Sequence, residues 1–163
     1  MDLRILVVDD SKVTRRVLCA LISSRWTVCG QAENGGSAVK KFRELKPDLV
    51  LLDLAMPDID GIEAGRQMQA IDPSVPLILF TLLDPWGLES AARHAGICKV
   101  VSKSEGWKLM ESIEQIVSES ELSNRHAKSE RTPDDQKLKQ RRTEVRYGQN
   151  FNRGRPRIHA HST

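Results

Sequence analysis

The sequence predicts an α/β fold, a doubly wound parallel sheet with helices on both faces. Five apolar runs of strand length alternate with five helix-length segments that mix apolar and polar positions. Pro47, Pro57, Pro73, Pro76 and Pro85 fall between these segments, where proline is tolerated. A strand–helix unit repeated five times implies parallel strands, because each crossover must carry the chain back before the next strand begins.

The first run, Leu3–Val8, is almost wholly apolar, as a strand covered on both faces should be. It ends on two aspartates, Asp9 and Asp10, and Ser11–Ser23 follows with helical spacing. The second strand, Val28–Ala32, leads into the turn-like "AENGG" and then into the helix Gly36–Leu45. The third, Leu49–Asp53, lies in "DLVLLDLAMPDIDG", and its helix is Ile62–Ile71. The fourth, Leu77–Thr81 in "PLILFTLLD", is followed by Leu88–Ala95. The fifth, Lys99–Ser102 in "KVVSKSEG", precedes Glu105–Val117. There "ESIEQIV" spaces Ile113, Ile116 and Val117 helically, and the helix is expected to extend toward Asn124.

In such folds function gathers at the carboxyl ends of the strands. Asp9 and Asp10, Asp53, Thr81 and Lys103 all stand there. Adjacent carboxylates repel and resist desolvation, so their place after a buried strand calls for a cation. Mg²⁺ suits an all-oxygen set and keeps positions for water and phosphate oxygens. The absence of His and Cys from the set argues against zinc. An aspartate beside Mg²⁺ and a lysine is a plausible nucleophile toward a phosphoryl group, with the cations neutralising charge on the group in transfer and Thr81 donating a hydroxyl to it. Singly, the aspartates would serve as helix caps before "SKVTRRVL", Thr81 as a strand residue and Lys103 as a solvated charge. Their common register favours the shared site.

The 163 residues suit one domain, and 39% hydrophobic with 29% charged residues is a globular composition. Cys19, Cys29 and Cys98 are too widely spaced for a zinc motif and are expected to be reduced core residues of a cytoplasmic protein. No signal peptide is expected, since the chain enters a strand directly, and no run approaches the roughly 20 apolar residues of a membrane span. The net charge of +3 is uneven. Residues 1–117 hold 14 Lys/Arg against 16 Asp/Glu, a balance of −2, whereas residues 118–163 hold 11 against 6, a balance of +5. Residues 119–163, with "KLKQRRTEVR" and "NRGRPR", have few apolar positions and no period. They are expected to form a disordered basic tail after a domain at 1–118.

The pieces "ILVVDDS", "AENGGSAV", "PDLVLLDLAMPDIDG", "LILFT" and "AGICKVVSKSEG", in this order and separation, resemble the receiver domain of bacterial two-component response regulators, chemotaxis regulators among them, over about residues 1–118. The resemblance implies a flavodoxin-like sheet of order 2-1-3-4-5. It implies that Asp53 accepts a phosphoryl group, and that Asp9, Asp10, Asp53 and the backbone carbonyl of Ala55 hold Mg²⁺. Thr81 would be the switch hydroxyl and Lys103 would contact the phosphoryl group, while Pro57 and Gly61 shape the loop after the third strand. The implied function is a phosphorylation-dependent signalling switch, charged by a sensor histidine kinase or a phosphotransfer protein and acting through an unidentified downstream protein. It would be a phosphoacceptor and not an enzyme, with at most slow self-catalysed phosphotransfer and dephosphorylation. Homodimerisation is left open.

Two positions depart from the family pattern. Val100 stands where an aromatic residue is usual, and Leu82 follows Thr81 where a small residue is usual and is expected to crowd the phosphoryl site. These departures keep a docking-only pseudo-receiver as an alternative. A second alternative is a transcription-related role for the tail, since "GRPR" is similar to minor-groove-binding arms; such contact would be weak and salt-sensitive. An aspartyl-phosphate hydrolase would need a second aspartate at position 55, which is Ala55. A nucleotide- or flavin-binding module would need glycine motifs that the chain lacks. Trp26, Trp86 and Trp107 are expected at the edge of the core, the last two being the better interface candidates. Asp58 and Asp60 are expected in solvent, and His94 near a helix end.

Overall fold

The alternation of apolar side chains along each strand decides which helices cover it. The structure, a computed structural model, describes residues 3–129, with side chains described through residue 119. The strands are β1 (Arg4–Val8), β2 (Thr27–Ala32), β3 (Leu49–Leu52), β4 (Leu77–Thr81) and β5 (Lys99–Ser102), all parallel, in the order β2-β1-β3-β4-β5. The helices are α1 (Lys12–Ile22), α2 (Gly35–Leu45), α3 (Gly61–Ile71), α4 (Glu89–His94) and α5 (Trp107–Ser129). The chain divides into two units, Met1–Val117 and Ser118–Thr163. All five strands belong to the first, and the described part of the second, Ser118–Ser129, is helical.

Side chains two apart share a face of a strand. Leu6 and Val8, Val50 and Leu52, and Leu77 and Leu79 therefore meet one layer, packed with Val39 and Phe42 of α2, Met68 of α3 and Ala92 of α4. Ile5 and Val7, Leu49 and Leu51, and Ile78 and Phe80 meet the other, with Leu18 and Ile22 of α1 and Leu109 and Ile113 of α5. Burial on both faces is why these strands read as unbroken apolar runs.

Caps set where the helices begin. Ser11 Oγ accepts from Thr14 N, Asn34 Oδ1 from Ser37 N, and Asp60 Oδ1 from Glu63 N. Asp60, expected simply in solvent, is thus also the cap of α3. The helix expected at Leu88–Ala95 is shorter. Asp84 instead caps a 3₁₀ turn at Pro85–Gly87, and α4 stops before Gly96, whose φ of +78° is a left-handed conformation. The last helix begins at Trp107, behind a 3₁₀ turn at Lys103–Glu105, and runs beyond Asn124 to Ser129. The tail expected after residue 118 lies, from residue 130 on, outside the described residues. Among the described residues no helix is long and apolar enough to cross a membrane.

Candidate functional site

Parallel register brings the strand ends to one rim. Val8 pairs with Leu52, and Asp53 N donates to Val8 O, so Asp9 and Asp53 emerge side by side from the two central strands. On the other flank of β4, Thr81 pairs with Ser102, which places Lys103 one residue beyond that pair. Lys103 Nζ reaches back across the rim to Asp9 Oδ2 at 2.7 Å and Asp53 Oδ2 at 3.0 Å. The remaining oxygens are held by the backbone: Asp9 Oδ1 accepts from Ser11 N at 2.8 Å and Asp53 Oδ1 from Leu54 N at 2.9 Å. Asp10 is exposed at the mouth, and carboxylate oxygens of Asp9, Asp10 and Asp53 all lie within 4.8 Å of one another. Asp9 is therefore not a helix cap, since Ser11 fills that role.

The electrostatics follow from burial. Asp9 and Asp53 are almost wholly enclosed and Lys103 nearly so. Burial pushes the Asp53 carboxyl above the usual carboxylate range and Asp9 adds to the effect, against the opposing pull of Lys103 and the Leu54 amide. Burial pulls Lys103 down, but its bonds to Asp9 and Asp53 outweigh this and hold it above the usual lysine value. When all four groups are ionised, three carboxylates against one ammonium leave two negative charges. A divalent ion that prefers hard oxygen ligands matches both that charge and that donor set.

The loop after β3 is fixed by close packing. A Cβ on Gly61 would overlap the carbonyl oxygen of Asp53 and lie 2.9 Å from both the Asp53 carbonyl carbon and Leu54 Cα. The amide of Gly61 donates to Leu54 O at 2.9 Å. Ile59 N donates to Pro57 O around Asp58, whose φ is +70°. Ala55 and Pro57 are exposed in this loop. Thr81 is buried, and its Oγ1 accepts from Leu83 N at 3.2 Å. Leu82, the next residue, is 77% exposed. Val100 is half-buried against the core layer of α2, α3 and α4.

The family model of the response regulator receiver domain matches residues 5–114. The chain belongs to this family. It is 37% identical over 97 residues to the chemotaxis protein CheY of Thermotoga maritima, covering 59% of this chain and 81% of that one. It is 36% identical over 115 residues to the chemotaxis protein CheY of Listeria monocytogenes, covering 69% and 97%. Among solved structures it resembles a two-component response regulator of the LuxR family from Aurantimonas sp., with a TM-score of 0.69 and 31% identity over 72% of this chain and 86% of that one. Receiver domains bind Mg²⁺ at an acidic phosphorylation site, and the donor set of this receiver fits that ion.

Two expectations for this receiver need correction. Trp86 and Trp107 do not line the core edge; they are 92% and 70% exposed, while Trp26 does pack against the layer of α1 and α5. Cys98 is exposed, with its thiol donating to Leu77 O, although Cys19 and Cys29 are partly buried; none of the three forms a disulfide among the described residues. Sequence reading also passed over Arg15. Its side chain is 12% exposed, and its guanidinium folds back onto the turn that carries Asp9 and Asp10. The only signal for it was a basic residue one turn into the helix after the two aspartates.

Proposed function

We propose that this receiver is a phosphorylation-dependent signalling switch whose phosphoacceptor is Asp53. The observation that carries the reading is Lys103, bridging Asp9 and Asp53 inside an acidic cluster that retains two negative charges. Asp9, Asp10, Asp53 and the carbonyl of Ala55 are the Mg²⁺ ligands in this reading. The ion supplies charge neutralisation and orientation of phosphoryl oxygens when bound. Asp53 attacks phosphorus with a carboxylate oxygen. As that O–P bond forms, the P–N bond of a donor phosphohistidine breaks and its electron pair leaves with the imidazole. Lys103, held charged by its two carboxylates, stays beside the incoming group. Thr81 uses a lone pair on Leu83 N–H, which leaves its own O–H proton to donate to a phosphoryl oxygen.

The donor is a sensor histidine kinase or a phosphotransfer protein, and the output is a downstream protein. Residues 1–118 serve as the receiver, and 119–163 as an appended basic segment. Val100 is β-branched and short, so no ring turns inward when Thr81 moves. The two states then differ less in surface shape, and the population shift is correspondingly modest. The change would be carried by the loop Leu82–Trp86 and α4.

The test is Mg²⁺-dependent uptake of label from a small phosphodonor by wild type and Asp53→Asn. Uptake by Asp53→Asn at the wild-type level would overturn the assignment. Trp86 fluorescence and amide exchange with and without beryllofluoride test the output route. With the mimic demonstrably bound, no change from Leu82 to Lys103 would refute that route.

A further inference from the structure

Arg15 is the one strong cation, besides Lys103, that the described structure folds onto the acidic rim. From the first turn of α1 its Nη1 donates to the backbone carbonyl of Asp9 at 2.7 Å and to that of Asp10 at 3.1 Å. Its Nη2 lies 3.8 Å from Glu33 Oε2 in the loop after β2. One planar fork thus holds the β1–α1 turn and leans on the neighbouring loop, which a lysine ammonium cannot do in the same way.

The two aspartates depend on this turn to different degrees. Asp9 has its carboxylate fixed by Ser11 N and Lys103. Among the described residues the Asp10 carboxylate makes no hydrogen bond or ion pair, so its direction is set by the backbone that carries it. Arg15 grips that backbone on both sides of the Asp10 Cα, through the carbonyls of Asp9 and Asp10. Its charge works the other way, because a guanidinium near a cation site repels the cation. A partly buried arginine here opposes the metal by charge and favours it by position, and these effects have opposite signs on substitution.

We propose that Arg15 is a positioning residue for the cation site: it clamps the Asp9–Asp10 turn so that the exposed Asp10 carboxylate joins Asp9 and Asp53 around one ion. This rests on the receiver reading above. Groups that orient metal ligands typically change metal affinity by about 10–100-fold when removed. The experiment is calorimetric Mg²⁺ titration of wild type, Arg15→Lys and Arg15→Met without phosphodonor, alongside the Mg²⁺ concentration that half-saturates phosphorylation. Arg15→Lys keeps the charge and loses the fork; Arg15→Met loses both. The expected result is Mg²⁺ affinity lowered about tenfold or more in both. The half-saturating Mg²⁺ should rise by the same factor, and the rate at saturating Mg²⁺ should fall by less. Circular dichroism in EDTA confirms folding, and Arg15→Lys decides if Arg15→Met does not fold. Either folded variant binding Mg²⁺ as tightly as wild type, or more tightly, would overturn the proposal. Wild-type protein that bound no Mg²⁺ would overturn the receiver reading itself and this inference with it.

Discussion

Replacing Gly61 by alanine perturbs the site without touching any ionisable group. The added methyl would overlap the Asp53 carbonyl oxygen and sit 2.9 Å from two further backbone carbons. Carbon atoms rest at about 3.5–4.0 Å, so α3 and the end of β3 must part by about 1 Å. The obstacle is backbone and has no rotamer to escape into, which places the cost within the overpacking range of about 1–3 kcal/mol. Alanine returns about 0.4–1 kcal/mol through the unfolded chain, leaving a net loss of roughly 1–2 kcal/mol. The residue displaced is Asp53 itself, and a misplacement of about 1 Å at a reacting group can cost on the order of 10²-fold in rate. Urea unfolding and the initial rate of label uptake from a small phosphodonor measure the two effects. Gly36→Ala is the control, since a Cβ there meets only Asn34 Oδ1, at 3.7 Å; it should be neutral or slightly stabilising. A Gly61→Ala protein as stable as wild type and phosphorylated at the same rate would refute the packing argument.

Lys103→Met should destabilise the Mg²⁺-free protein by about 3–5 kcal/mol, because Asp9 and Asp53 lose the partner of a buried pair; urea titrations matching wild type would contradict this. Folded Lys103 binds its proton more tightly than the unfolded chain does, so its contribution should be present below roughly pH 10.4 and fade above it. For Asp53, whose folded pKa is raised by burial, folding favours the protonated form, and stability falls as pH rises from roughly 3.9 through the raised value. The stability of Asp53→Asn minus that of wild type, in EDTA, should therefore grow across that interval; a pH-independent difference would exclude it. Mg²⁺ should raise the melting temperature of wild type, by about 2.7 kcal/mol of stabilisation at a hundredfold excess over Kd, and Asp10→Ala should weaken the effect; equal melting temperatures with and without millimolar Mg²⁺ would count against the cation site.

Much of this site was legible because a parallel sheet converts sequence position into spatial position. Once Leu6–Val8, Val50–Leu52 and Leu77–Leu79 read as buried strands, the residues following them had to share a rim. Asp9, Asp53, Thr81 and Lys103 were therefore identifiable before any distance was known. What stayed hidden depends on how side chains fold back. Nothing in "SKVTRR" distinguishes Arg15, bent onto the turn, from a solvated neighbour. Trp86 and Trp107 look like core residues by composition, yet each sits in or beside a 3₁₀ turn that carries it outward. The end of α5 escaped because apolar spacing stops at Val117 while residues that favour helix continue to Ser129.

The bond from Lys103 to Asp9 joins residues 94 positions apart. It closes a ring through nearly the whole sheet, from the first strand laid down to the last. Contacts that span so much chain form late, after the intervening loops have been closed. During synthesis, a nascent chain stalled before β5 would carry Asp53 with its carboxylate neighbours but without the cation that steadies them. If Asp53 is the phosphoacceptor, as proposed above, competence to take up a phosphoryl group is tied to completion of the fold, and an unfinished or locally unravelled molecule lacks an assembled acceptor site.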